Sequence, residues 1–128
     1  MDVVKLAKAW RRSSQDDLKV AYSMLDKKHY AYCLFFCHLA VEKELKRLYL
    51  LRREKFPPTI HNLVRIAEEA GLQFDEATIK TFQEMTTFNI KARYEIIKAE
   101  FHRKATKSYT KTWLKETENL LALLKSLG

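Results

Sequence analysis

Apolar side chains recur along most of this chain at intervals of three and four residues, a spacing that places them on one face of an α-helix. The pattern predicts a first helix over about residues 2–28 and a second over about residues 30–53, with a polar turn at 26–29. The second helix must end before Pro57 and Pro58, because proline lacks a backbone donor and clashes with the preceding helical turn.

Capping residues locate two shorter helices. Thr59 is predicted to cap a third helix over about residues 60–70, and Gly71 follows its last turn. Asp75 is predicted to cap a fourth helix in the same way.

The end of the chain carries one more helix. The apolar pattern is clear over about residues 109–127, but it blurs between Phe88 and Lys107, where no glycine or proline marks a boundary. A continuous helix over residues 73–127 would be too long to bury against a domain of this size. We therefore predict a break within residues 91–106.

These amphipathic segments and their short connections predict an all-α fold, an antiparallel up-and-down bundle of four to five helices in a single domain over residues 1–128. The composition agrees, since 47% of the residues are hydrophobic and can form a core. Two glycines and two prolines are too few for a β-sandwich or barrel, and the glycines are too few for a P-loop or a Rossmann fingerprint.

Charge divides the chain into three zones. The net charge is +8, with residues 1–56 and 91–128 basic and residues 57–90 acidic. An excess of cations favours polyanionic partners such as nucleic acid, a nucleotide or an acidic protein surface. A lysine-rich solvated exterior explains the same balance, and charge alone leaves both interpretations open.

Cys33 and Cys37 are the only cysteines, and they lie four residues apart in an apolar run. On a helix this spacing gives poor disulfide geometry. With His29 they would line one helix face, and His61 or His102 would have to supply a fourth zinc ligand. Free cysteines in an apolar run usually pack as small hydrophobes, so we expect no metal and no other cofactor.

The sequence also indicates where the protein is located. The N-terminus lacks the apolar core of a signal peptide, and the longest nearly apolar stretch, residues 30–41, is too short to span a bilayer. Together with the unpaired cysteines, these features predict a reduced, cytoplasmic protein without membrane contact.

Three groups of polar residues are candidates for ligand binding. Glu42 and Lys46 form an i, i+4 pair that is either a surface ion pair or the polar edge of a groove. His61 is predicted in the first turn of the third helix, where a neutral imidazole would either pack or contact a ligand. The third group is a basic stretch suited to phosphate and base stacking, unless it is a solvated face with core aromatics. Its members are Lys91, Arg93, Lys98, Arg103, Lys104, Lys107 and Lys111, with Tyr94, Phe101 and Tyr109.

Motifs from these groups resemble one family in the correct order. Residues 40–46, AVEKELK, resemble the AVEK-x-LK signature on the second helix of HEPN domains (higher eukaryotes and prokaryotes nucleotide-binding). Residues 61–63, HNL, are similar to the family's His-Asp-Leu, and residues 88–94, FNIKARY, resemble its tyrosine-isoleucine…arginine-tyrosine-proline element. Three places differ, since Asn62 stands where the family prefers aspartate, Glu95 replaces the proline, and residues 38–39, HL, replace a common Gln-Gln pair.

The resemblance implies an up-and-down bundle of four or five helices, often a homodimer, and often a minimal nucleotidyltransferase as partner, in some members as toxin and antitoxin. One branch of the family is ribonucleolytic and carries an arginine followed, after four to six residues, by a histidine. Here eight residues separate Arg93 from His102, so the pair is absent and the resemblance argues against nuclease activity.

The leading hypothesis is a non-catalytic binding module for a nucleotide or RNA, in which five side chains converge on a groove between helices. Arg93 and Lys46 would contact phosphate, and His61 would bond to a sugar or base edge. Tyr94 would stack or pack, and Glu42 would orient Lys46 or Arg93.

Two other functions stay open. One is a metal-independent ribonuclease that uses Arg93 and His102 despite their spacing. The other is an interaction protein whose basic surfaces neutralise an acidic nucleotidyltransferase partner.

Overall fold

The structure is a computed structural model that describes residues 1–89 and 95–128, without the side chains of residues 95 and 96. In these residues it contains six helices and no strand, which confirms the all-α bundle. The helices are α1 Val3–Asp26, α2 Tyr30–Arg53, α3 Leu63–Glu69, α4 Glu76–Thr86, α5 Glu95–Lys104 and α6 Lys107–Ser126.

Helices α1 and α2 form an antiparallel hairpin along their whole length. The predicted polar turn between them is confirmed, and Lys28 takes a left-handed backbone conformation there with φ 63°. Close approach of the two helices is marked by Ser14, whose hydroxyl donates to the carbonyl of Ala40 at 2.7 Å. Lys43 on α2 forms a salt bridge with Asp17 on α1, with 2.7 Å between Nζ and Oδ2, and this pair also links the two helices.

Helix α2 is the centre of the bundle, because α1, α3, α5 and α6 all pack against it. Its apolar positions Leu34, Val41, Leu45 and Leu48 are almost fully buried. Helix α6 runs in the same direction as α2, since Arg47 near the end of α2 donates to the carbonyl of the C-terminal Gly128 at 3.0 Å. Among the described residues, no helix combines the length and the apolarity that crossing a membrane requires.

Helix α3 starts later than the sequence pattern predicts. The predicted cap at Thr59 is wrong, because the side chain of Asn62 accepts the free N–H of Arg65 at 3.1 Å and α3 begins at Leu63. Both residues are capping types, so local sequence could not choose between them. His61 therefore lies before the helix and not in its first turn, in an irregular segment that crosses α2.

The predicted break within residues 91–106 is confirmed, and it lies at residues 105 and 106, between α5 and α6. Helix α5 stops at Lys104, and the hydroxyl of Thr106 caps α6 by accepting from the N–H of Tyr109 at 3.2 Å. An aromatic cluster fixes this corner, because the ring of Phe88 lies 5.8 Å from Phe101 and 5.1 Å from Trp113 between centroids.

Candidate functional site

A buried carboxylate lies at the centre of the candidate site. Glu42 projects from α2, and its Oε2 accepts a hydrogen bond from Nζ of Lys46 at 3.1 Å. Its Oε1 lies 2.9 Å from Nδ1 of His61. The side chains of Glu42 and Lys46 are 6% and 7% exposed, so the pair is buried and the surface ion pair considered from spacing alone is wrong. Spacing could not show the burial, because the segment before α3 covers this face of α2.

His38 completes the cluster from one turn earlier on α2. Its Nε2 lies 2.9 Å from the carbonyl oxygen of His61 and 3.9 Å from Oε1 of Glu42. The spacing i, i+4, i+8 places His38, Glu42 and Lys46 on one helix face. Two hydrogen bonds from this face, one to the ring and one to the backbone of His61, hold the irregular segment in place.

The hydrogen-bond partners fix the tautomers of both imidazoles. A carbonyl oxygen can only accept, so Nε2 of His38 carries its proton. Burial lowers the pKa of His38 below its ordinary value and keeps the ring neutral. In the same way the carboxylate of Glu42 requires a proton on Nδ1 of His61, which leaves Nε2 of His61 for a ligand.

His61 is the exposed member of this group, with 39% of its side chain accessible. When neutral, its Nε2 accepts a hydrogen bond, so it suits a hydroxyl or amino group of a ligand. Lys46 supplies positive charge behind it, and Glu42 uses one of its three ammonium donors. The arrangement can orient an imidazole and present it, with a buried charge pair as support.

Three of the five predicted ligand-binding residues, Glu42, Lys46 and His61, come together in this cluster. Arg93 and Tyr94 lie outside the described residues, and their proposed contacts with phosphate and base stay predictions. His38, which was not among the predicted ligand-binding residues, belongs to the cluster as well. Its i, i+4 spacing to Glu42 was the signal that could have identified it.

His102 lies at another place in the fold. Its ring on α5 is 6.0 Å from the ring of Tyr32, near the start of α2. Tyr32 precedes Glu42 by ten residues, or about 15 Å along the helix axis. The histidine of the alternative ribonuclease is therefore separate from the Glu42 cluster.

The two cysteines are buried free thiols on α2. Cys33 and Cys37 have 0% exposure and pack in the hydrophobic core, as expected for small apolar side chains. In the described part of the chain, no three side chains of histidine, cysteine, aspartate or glutamate are grouped to hold a metal ion.

A second set of buried charges lies on the opposite face of α2. Glu44 accepts from Nε of Arg47 at 2.7 Å and from Nη2 of Arg11 on α1 at 3.3 Å. Arg47 also reaches the carbonyl of Gly128 at the end of α6. These bonds join three helices, so their role is explained by the fold.

Comparison with known proteins identifies the family. Residues 7–127 match the HEPN domain, which is nearly the whole chain. This chain belongs to the HEPN family. The fold of this HEPN domain is similar to that in the crystal structure of TT1696 from Thermus thermophilus, with a TM-score of 0.78. The alignment covers 94% of this chain and 96% of that chain, with 20% sequence identity. That likeness shows a shared fold, and no curated protein matches the sequence.

Proposed function

We propose that this HEPN domain is a non-catalytic binding module for a nucleotide or an RNA phosphate, with a site formed by Glu42, Lys46, His61, Arg93 and Tyr94. The observation that supports it is the buried carboxylate of Glu42, which contacts both Lys46 and the half-exposed His61.

A buried ion pair is a costly way to stabilise a core. Its desolvation penalty often equals or exceeds the attraction between the charges, and apolar side chains of the same size commonly serve stability better. Here the pair lies behind an accessible imidazole and fixes its tautomer. This placement favours a role in presenting His61 to a ligand.

Each part of a nucleotide has a proposed partner. Nε2 of His61 accepts from a ribose hydroxyl or from an amino group on a base edge. The guanidinium of Arg93 provides the planar fork that phosphate recognition favours, and Lys46 adds positive charge. Tyr94 stacks on the base. The net charge of +8 raises the local concentration of such polyanions.

The wider assembly belongs to the same proposal. The HEPN domain acts as a homodimer in the cytoplasm and pairs with a nucleotidyltransferase-like protein, as toxin and antitoxin or in another regulatory pair. The two buried free thiols agree with a reducing compartment.

Calorimetry with nucleoside mono-, di- and triphosphates and with short single-stranded RNAs tests the ligand. We expect binding to weaken about tenfold or more in each of two variants. Arg93→Ala loses a charged hydrogen bond to phosphate, and His61→Ala loses the hydrogen bond from its imidazole to the sugar or base. Arg52→Ala, at an exposed arginine near the end of α2, is the matched control and should bind like wild type. No binding by wild type, or unchanged binding in Arg93→Ala, would remove the proposal.

The same RNAs distinguish the enzymatic alternative. A wild-type protein that cleaves them, together with a His102→Ala variant that does not, would establish a ribonuclease in place of a binding module. Undiminished cleavage in His102→Ala would remove the ribonuclease that uses Arg93 and His102.

A further inference from the structure

We propose that the groove between the start of α1 and the end of α2 docks an acidic amphipathic helix from a partner protein. The groove measures about 130 Å³, enough for one aliphatic side chain, and we call it the α1 groove. It is lined by Val4, Ala7, Lys8, Arg11, Arg47 and Leu51.

The floor of the α1 groove is aliphatic. Ala7 is buried at its base, while Val4 and Leu51 are 61% and 36% exposed on its two sides. A leucine or isoleucine from a partner would remove this apolar surface from water, and that burial drives most protein association.

Cations border this floor in a regular row. Lys5, Lys8 and Arg12 are spaced i, i+3, i+7 and therefore lie on one face of α1. A second hollow of about 560 Å³ follows this row and shares Val4 and Lys8 with the α1 groove, so the two surfaces are continuous.

The row is available for pairing with a partner. Within residues 1–89 and 95–128, none of the ion pairs involves these three cations. The nearest acidic residue in sequence, Asp2, accepts the N–H of Lys5 at 3.0 Å as the cap of α1. A helix with carboxylates at matching spacing would meet them with complementary charge.

The inner wall of the α1 groove is held by a buried carboxylate. Arg11 and Arg47 are both held by Glu44, at 3.3 and 2.7 Å. A wall fixed before binding loses little side-chain entropy when a partner arrives, which favours docking.

The chemistry selects a protein helix over other occupants. Nucleic acid would use the cations, but single-stranded binding sites add aromatic side chains for stacking, and the lining of the α1 groove has none. A second copy presenting the same face would bring Lys5, Lys8 and Arg12 against their equivalents, and like charges repel. An acidic helix with one apolar side would pack that side on the aliphatic floor and pair its carboxylates with the cations of the row.

The α1 groove is independent of the proposed ligand site. Glu44, which holds its wall, faces α1, whereas Glu42 faces the segment before α3. Positions two apart on a helix point about 200° from each other. Failure of nucleotide binding would therefore leave this proposal intact, and the reverse also holds.

Fluorescence anisotropy with the full chain tests the docking. The probes are a set of labelled helical peptides with leucines on one side and glutamates on both flanks, in several registers. One matched set carries lysine at the glutamate positions, and another carries serine at the leucine positions. We expect binding only by the first set, with affinity that falls as salt rises.

Two variants and a control on the same helix locate the contact. Lys8→Glu should weaken binding about tenfold or more by charge reversal, and Val4→Ser should weaken it by removing apolar contact. Lys19→Glu makes the same charge change at an exposed position farther along α1 and should leave affinity unchanged. Circular dichroism confirms that each variant is folded, and a misfolded Val4→Ser is replaced by Leu51→Ser.

Three results would overturn the proposal. They are no binding by any acidic peptide, an equal loss in Lys8→Glu and Lys19→Glu, and unchanged binding in the apolar variants. If single-stranded RNA binds and Lys8→Glu abolishes that binding while the peptides do not bind, the row is a nucleic-acid surface instead.

Discussion

Nε2 of His38 lies 2.9 Å from the backbone carbonyl oxygen of His61, although 23 residues separate the two in the chain. The bond requires the proton on Nε2, and it anchors the backbone of the segment that presents the exposed imidazole. The ring of His61 is anchored separately by Glu42 at 2.9 Å. One residue is therefore positioned at both its backbone and its side chain by a single face of α2.

Acid should destabilise the fold through His38. Burial lowers its pKa in the native state, while the unfolded chain titrates near the ordinary value of about 6.5. Below that value the unfolded state binds a proton that the native state does not. The free energy of unfolding therefore decreases as the pH is lowered, until the native pKa is reached. The loss approaches about 1.4 kcal/mol per pH unit for one proton.

Urea denaturation at several pH values measures this effect. The variant His38→Gln keeps a side-chain donor but cannot titrate. The charged and titratable groups near this side chain are the same in both proteins, namely Glu42, Lys46 and His61. We expect a shallower decline in His38→Gln than in wild type. His29→Gln, at an exposed histidine, should keep the wild-type slope. Equal slopes in all three proteins would contradict the assignment.

Removing one member of the buried ion pair should be costly. Lys46→Met leaves the carboxylate of Glu42 with only its histidine partner, and an uncompensated buried charge costs about 3–5 kcal/mol. The double variant Glu42→Met/Lys46→Met should be more stable than the sum of the two single changes predicts. A double-mutant cycle by chemical denaturation measures the coupling, and strictly additive values would show that the pair does not interact.

The position of the α3 cap can be tested by two matched substitutions. Asn62→Ala should lower the free energy of unfolding by about 1 kcal/mol, because the N–H of Arg65 loses its acceptor. Asn62→Asp keeps an acceptor and should be close to wild type. Thr59→Ala removes the cap that the sequence pattern suggested and should change little. Thermal and urea denaturation compare the three, and a larger loss in Thr59→Ala would contradict the structure.

Both cysteines should resist modification in the native protein. Both side chains have 0% exposure, so the reagent reaches neither sulfur in the folded chain. The neighbouring Cys33 thiol, with burial, raises the pKa of Cys37 well above its ordinary value, whereas the hydrogen bond with Cys37 lowers the pKa of Cys33, so the resistance of Cys33 rests on burial alone. Ellman's reagent should react slowly with the folded chain and rapidly in denaturant. An added exposed thiol in Lys19→Cys provides the fast reference, and equally fast reaction of all thiols would show that α2 opens readily.

Periodicity and capping residues predicted α1, α2, α3, α4 and α6, but not α5, which lies in the stretch where the apolar pattern blurs. The two long helices have apolar stripes along their whole length, and Pro57 with Pro58 marks an unambiguous end. The third helix was placed wrongly at its start because Thr59 and Asn62 are equally good caps, and only their tertiary surroundings differ. His61 was consequently assigned to a helix that it precedes.

The sequence by itself determined that this chain is a helical bundle, since helical periodicity and the near absence of glycine and proline are local properties. It also placed Glu42 and Lys46 on one helix face. Only the tertiary structure decided that this face is buried, that His38 belongs to it, and that His61 reaches it from 19 residues away. Burial and such contacts depend on how distant segments pack, and no residue spacing within one helix contains that information.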